Sequence, residues 1–271
     1  MADMIGIFDS GFGGLTVFKE IKKALPEYSY LYLGDNLRAP YGGRTPEAIF
    51  EFARQAACYL FKQGCLLVIL ACNTASAEAL RKLQQEWLPA NYPDRRILGV
   101  IRPVAEEAVK LSRFGRIGVV GTTATISSKA YNKELKAQNQ EVKVFSNACP
   151  LLVPLVEEGW LDKPETRMVV KKCLRPLKEK RIDTLILGCT HYPLLMKEFV
   201  RLAGKRVRVL DAPKIVADKL ADYLKRHPEI ESMLQKQKTA RYLTTDSPEK
   251  FSSLGSRFMG SPIKGEKVEL N

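Results

Sequence analysis

Residues 66–74 read Leu66-Leu67-Val68-Ile69-Leu70-Ala71-Cys72-Asn73-Thr74: an apolar run closed by a small residue, a cysteine and two hydrogen-bonding side chains. A short apolar run with a polar end predicts a buried strand, Leu66–Ala71. Cys72-Asn73-Thr74 then opens a helix over Ala75–Trp87. About 115 residues later the design recurs, with a strand Thr184–Leu187, then Gly188-Cys189-Thr190-His191 and a further helix. Ile5–Gly11 and Ile117–Thr122 form a second matched pair, each an apolar strand running into a glycine turn. Any two β-α units look alike, but packing alone does not demand a cysteine at the same place in both.

Working outward, strands alternate with helices along the chain. Met4–Phe8 precedes a helix from Leu15 to about Ala24, and Tyr30–Leu33 ends at Gly34-Asp35-Asn36 ahead of a helix from Pro46 to about Gln63. The pattern restarts after Val100-Ile101-Arg102-Pro103, with helix Val104–Leu111, strand Arg116–Val120, a helix begun by Gly121-Thr122-Thr123, and helix Pro164–Lys180. This alternation predicts the α/β class, with mainly parallel sheets flanked by helices. The internal repeat predicts two pseudo-symmetric lobes. Ligands of open parallel sheets bind outside the carboxyl ends of the strands, where both cysteines fall. The expected active site is therefore the cleft between the lobes, with one cysteine on each side.

Composition narrows the class. The chain has 271 residues, enough for one large domain or two smaller ones, with 45% hydrophobic and 27% charged residues. No apolar stretch is long enough to span a bilayer, and Met1 leads straight into a strand pattern, so neither a membrane anchor nor a secretory signal is expected. Six cysteines without framework spacing read as reduced thiols, which predicts a cytoplasmic protein. The net charge of +13 suggests nucleic acid at first, but the 43 basic residues are interleaved with 30 acidic ones. Lys171, Lys172, Arg175, Lys178, Lys180 and Arg181 read as a solvated helix face. Positive charge can also draw an anionic substrate inward. A basic binding protein stays as the non-enzyme alternative, and a homodimer is left open.

Several chemistries can be weighed from residue types. Asp9-Ser10-Gly11-Phe12-Gly13-Gly14 starts like a dinucleotide fingerprint, but the third required glycine is replaced by Thr16. These glycines are expected to bring backbone N–H groups close to a small anion at a helix start. His191 and His227 are the only histidines, which leaves a His-rich metal site unsupported. A Cys-His hydrolase using Cys189 or Cys72 with His191 would leave the other matched cysteine without a role. Cys58, Cys65, Cys149 and Cys173 read as structural thiols.

Two opposed thiols suit the inversion of a carbon centre, one removing a proton and the other returning one to the opposite face. A free thiol titrates near pH 8.5, and a helix N-terminus is expected to lower that value. The carbon acid is far weaker, by on the order of ten pKa units, or roughly 14 kcal/mol. Pre-aimed donors must offset most of that deficit. Ser10, Asn73, Thr74, Thr122, Thr125 and Thr190 are suitable donors.

The chain resembles the aspartate/glutamate racemase family, and glutamate racemases in particular, over essentially its whole length. The matching segments are Gly6–Thr16, Gly34-Asp35-Asn36 through Pro40-Tyr41-Gly42, Ala71–Ser76, Gly121–Thr125 and Leu187–Pro193. The resemblance implies cofactor-independent interconversion of L- and D-glutamate, with no metal. The implied acid/base residues are Cys72, acting on the D-enantiomer, and Cys189, acting on the L-enantiomer. Asp9 and His191 are implied as their respective assistants, and Glu157 as a further polar residue of the site. Substrate contacts are implied at Asp9, Ser10, Pro40, Tyr41, Gly42, Asn73, Thr74, Thr122, Thr125, Thr190 and His191. The plainer reading of Asp9 is a helix cap, and of His191 a cap or packing role. The resemblance also implies a discontinuous first lobe, 1–99 plus 209–271, around a second lobe, 100–208. A returning strand Thr239–Thr244 and helix Pro248–Met259 fit that path. The implied product, D-glutamate, feeds peptidoglycan synthesis. A racemase of aspartate or another small acid, using the same thiols, is the nearest rival.

Overall fold

The computed structural model describes residues 3–270; Met1, Ala2 and Asn271, at the outer ends of the expected first lobe, lie outside the described residues. Among the described residues, ten strands form two sheets. The strands are β1 (Met4–Asp9), β2 (Tyr30–Gly34), β3 (Cys65–Leu70), β4 (Arg96–Gly99), β5 (Arg116–Gly121), β6 (Lys143–Ala148), β7 (Thr184–Gly188), β8 (Arg208–Val209), β9 (Ala240–Thr244) and β10 (Gly265–Lys267). The first sheet has the order β10-β9-β2-β1-β3-β4 and the second the order β6-β5-β7-β8. Every described pairing is parallel. The order β2-β1-β3-β4 thus repeats as β6-β5-β7-β8, which is the expected pseudo-symmetry.

The apolar runs are continuous because both faces of each central strand are covered. Ile5, Ile7, Tyr30, Tyr32, Leu67 and Ile69 enter one core, which extends into the second sheet through Ile117, Val119, Leu185 and Leu187. Phe8, Leu31, Leu33, Val68 and Leu70 point the other way, into a second core under helix Pro46–Lys62. Adjacent residues part to opposite faces, as the period of two requires. Helices Leu15–Ala24 and Pro248–Met259 coincide with the expected spans, and β9 carries the chain back to pair with β2.

Two expectations were wrong in detail. The single helix Ala75–Trp87 is instead Asn73–Glu78, a short turn Leu80–Lys82, a widened π-helical turn Leu83–Trp87 and a last turn Leu88–Asn91. Pro89 has no N–H for the carbonyl four residues earlier and its ring crowds it, and a wider turn relieves that conflict. The helix expected at Val104 starts at Ile101 with Pro103 inside its first turn, where a missing N–H costs nothing. Strands β4 and β6 and helix Leu152–Glu157 have no clear periodicity and were not foreseen. Among the described residues no helix is long and apolar enough to cross a membrane.

Candidate active site

The carboxyl ends of the two sheets' central strands face a common cavity with about 410 Å³ of empty space including its mouth. Ser10 and Gly11 follow β1, Cys72, Asn73 and Thr74 follow β3, Thr122 follows β5, and Cys189, Thr190 and His191 follow β7; all of them line it. Ala39, Pro40, Tyr41 and Gly42 close one side, and Val153 and Glu157 of helix Leu152–Glu157 close another. Of the residues singled out from sequence, only Asp9 and Thr125 do not touch the cavity. Asp9 is fully buried behind it, and Thr125 is held by hydroxyl contacts to Thr122 at 2.9 Å and Thr74 at 3.2 Å.

Sequence reasoning passed over Ala39 and Val153 as lining residues. The first sits inside a quoted motif, but Val153 is carried by a helix without a sequence signal.

Cys72 sits at the N-terminal cap of helix Asn73–Glu78. Its sulfur accepts from the Ala75 backbone N–H at 3.4 Å and lies 3.5 Å from Ser10 Oγ. A lowered thiol pKa was expected there. Instead burial, reinforced by the Asp9 carboxylate, pushes the Cys72 thiol up to about 12 against the weaker pull of those two hydrogen bonds. Desolvation outweighs the helix start because a single partial dipole cannot replace the lost water. Cys189 precedes a 3₁₀ turn, Tyr192–Leu195, rather than an α-helix. Its Sγ faces His191 Nδ1 at 3.9 Å, and His191 Nε2 lies 2.9 Å from Glu157 Oε1. Burial disfavours the imidazolium, but the hydrogen bonds to Cys189 and Glu157 and their charge outweigh it and raise His191 to about 10.

The glycine-rich turn does something other than expected. The N–H of Gly11 donates to Asp9 Oδ2 at 2.9 Å, so the turn serves the protein's own carboxylate. Burial raises the Asp9 pKa, while the nearby His191 charge, the Gly14 and Gly11 amides and Thr190 hold it back. Gly13 permits a close approach between lobes. A Cβ there would stand 2.2 Å from Thr190 Oγ1 and 2.6 Å from His191 Nδ1. Further bonds cross the cleft: Thr16 Oγ1 donates to Thr190 O at 2.9 Å, Thr190 Oγ1 to Asp9 Oδ1 at 3.4 Å, and Thr74 Oγ1 lies 2.9 Å from Thr122 Oγ1. Below the Pro40–Gly42 loop, the Tyr41 hydroxyl donates to buried Asp35, which also accepts from Arg38 Nε at 2.6 Å and Thr245 Oγ1 at 2.9 Å.

The site can therefore hold a small anion among hydroxyl and amide donors, between one thiol held neutral by burial and another that faces a cationic imidazole. Among the described residues no group of three or more His, Cys, Asp or Glu side chains is arranged to hold a metal ion.

Residues 5–220 match the family model described as Asp/Glu/Hydantoin racemase. A glutamate racemase of Geobacter metallireducens is 43% identical over 259 residues, covering 96% of this chain and 93% of that protein. The crystal structure of a glutamate racemase isoform from Bacillus anthracis superposes with a TM-score of 0.91 at 37% identity, over 99% of this chain and 98% of that one. A Francisella tularensis glutamate racemase, solved in complex with D-glutamate, superposes with a TM-score of 0.88 at 33% identity, over 99% and 98% of the two chains.

Proposed function

The chain belongs to the Asp/Glu/hydantoin racemase family, and we propose that it is a cofactor-independent glutamate racemase that interconverts L- and D-glutamate with Cys72 and Cys189. As a racemase it is an isomerase. The observation that carries the mechanism is that two buried cysteines, each following the equivalent strand of its sheet, line one small cavity.

In the L-to-D direction the thiolate of Cys189 takes the Cα proton. The electron pair left on Cα is delocalised into the substrate carboxylate, and Cys72 delivers its own proton to the opposite face. The surroundings of the two sulfurs suit that order. Cys72 is held as the neutral thiol by burial, and a thiolate on Cys189 has the His191 cation as its counter-charge. The D-to-L reaction runs the same steps backwards, with Asp9 behind Cys72 as its assistant.

The carboxylate gains charge as the proton leaves, so donors aimed at it strengthen in the transition state. Ser10, Asn73, Thr74, Thr122 and Thr190 line the cavity as those donors, and charge-assisted bonds of about 1.5–3 kcal/mol each offset much of the thiol–carbon acid mismatch. Pro40, Tyr41 and Gly42 shape the opposite wall, while Thr125 acts by holding Thr74 and Thr122. We group residues 1–99 with the segment that follows β8 as the first lobe and 100–209 as the second, one residue past the expected boundary because Val209 pairs with Leu185 of β7; the pairing of β9 with β2 supports the return to the first lobe. The proposed setting is the cytoplasm, with D-glutamate supplied to peptidoglycan synthesis and glutamate as the small-molecule partner.

The test is a polarimetric or chiral-chromatography assay of the purified protein with each enantiomer of glutamate and of aspartate, without added cofactor. Racemisation of both glutamate enantiomers is expected. Turnover of aspartate alone transfers the reading to an aspartate racemase, and turnover of neither overturns it.

A further inference from the structure

Behind the cavity wall stands a residue that no substrate would touch. Tyr131, on helix Ala130–Gln138 of the second sheet's side, is 2% exposed and its hydroxyl donates to Asn73 Oδ1 at 2.7 Å. Asn73 directly follows Cys72 and lines the cavity. The Tyr131 ring also lies against Gly188, the residue before Cys189; a Cβ on Gly188 would stand 2.9 Å from Tyr131 Cε2. One side chain thus braces both thiol-bearing segments, one by packing and the other by a hydrogen bond across the lobes.

A carboxamide presents two donors at one end and an acceptor at the other, and a half-turn about its last torsion exchanges them. With Oδ1 engaged by Tyr131, Nδ2 is the end left for the cavity, and it is not among the buried polar atoms lacking a partner. For an anionic substrate the distinction is large, because the turned amide would present a lone pair to a carboxylate. Burial holds the Tyr131 phenol well above its ordinary pKa, with the charge of Cys189 adding to the effect, so the hydroxyl keeps its proton as a donor.

Building on the glutamate racemase reading, we infer that Tyr131 is a positioning residue, whose hydroxyl fixes the Asn73 carboxamide with Nδ2 toward the substrate carboxylate. It acts through Asn73 and not on the substrate.

The test compares wild type, Tyr131→Phe, Asn73→Ala and the double variant by steady-state kinetics with both glutamate enantiomers. Tyr131→Phe keeps the ring and its packing. Its kcat/KM is expected to fall about tenfold, the scale of one hydrogen bond to a charged group, mainly through KM. The fall must be equal in both directions, because the enantiomers have the same free energy. In the Asn73→Ala background the same substitution should cost less than twofold, since the group it orients is gone. A Tyr131→Phe enzyme within twofold of wild type overturns the inference. A loss that multiplies in the double variant, or one confined to kcat, also overturns it and leaves Tyr131 a packing residue. Wild-type protein that racemises neither glutamate enantiomer overturns the function and this inference together, whereas the other failures leave the function standing.

Discussion

Nε2 of His191 lies 2.9 Å from a carboxylate oxygen of Glu157. The other ring nitrogen faces Cys189, so the imidazole links a partly exposed carboxylate at the cavity wall to a buried sulfur. That link makes the site's pH response testable. Burial alone would discharge His191, but its bonds to Cys189 and Glu157 keep it charged to about pH 10. A histidine whose folded pKa is raised keeps its charge until pH climbs through the folded value, while the stability tied to that charge is full below the unfolded value of 6.5 and is lost as pH rises from there through about 10. Removing the Glu157 charge lowers that value. For Glu157→Gln, the alkaline limb of the kcat/KM profile should therefore move to lower pH, with a smaller effect at pH 7. A pH titration of initial rates checks this, and an unmoved limb removes Glu157 from the site.

Cys72→Ala and Cys189→Ala should each reduce racemisation in both directions by 10³-fold or more, because a complete reaction needs a base on one face and an acid on the other. Cys58, Cys65, Cys149 and Cys173 changed singly to Ala should keep most activity. Near-normal turnover in either active-site variant would sink the two-thiol mechanism.

Solvent isotope should enter the product before it enters the remaining substrate. In heavy water, starting from one enantiomer, the newly formed opposite enantiomer should carry deuterium at Cα from the first turnovers. The proton returned comes from a different thiol than the one that removed it. Mass spectrometry of chirally separated glutamate at low conversion reads this out. Product that largely keeps its original α-hydrogen would point to a single base.

Gly13→Ala should damage the enzyme far more than its size suggests. The new Cβ would fall 2.2 Å from Thr190 Oγ1 and 2.6 Å from His191 Nδ1, so the loop and the second lobe must separate. Overpacking of this kind costs about 1–3 kcal/mol of stability, and displacement of His191 should lower kcat/KM at least tenfold. Gly43→Ala is the control, since a Cβ there meets nothing within 4 Å. Thermal melts with parallel kinetics separate the two variants; equal behaviour would show that the close approach is dispensable.

Much of this was legible in the chain. The apolar runs at Ile5, Leu67, Ile117 and Leu185 specify buried parallel strands, because only strands covered on both faces are apolar at every position. The matched cysteines after two of those strands line one cavity, and their spacing marked the pseudo-symmetry. Less was legible where a role depends on neighbours distant in sequence. The Val153 and Glu157 helix carries no periodicity strong enough to read, and Glu157 entered only through resemblance to a family.

By itself, then, the sequence determined the α/β class and the doubled lobe, and it placed two cysteines at equivalent strand ends, since strand periodicity and the placing of cysteines at strand ends are local properties. Tertiary structure alone decided the charge states around them. Cys72 looked like a helix-start thiol of lowered pKa and became a buried one pushed up to about 12. The glycine turn looked like an anion cradle and became a support for Asp9. Burial and cross-lobe contacts such as Tyr131 with Asn73 exist only once the two lobes meet. Desolvation and proximity are properties of that meeting, and no stretch of the chain carries them alone.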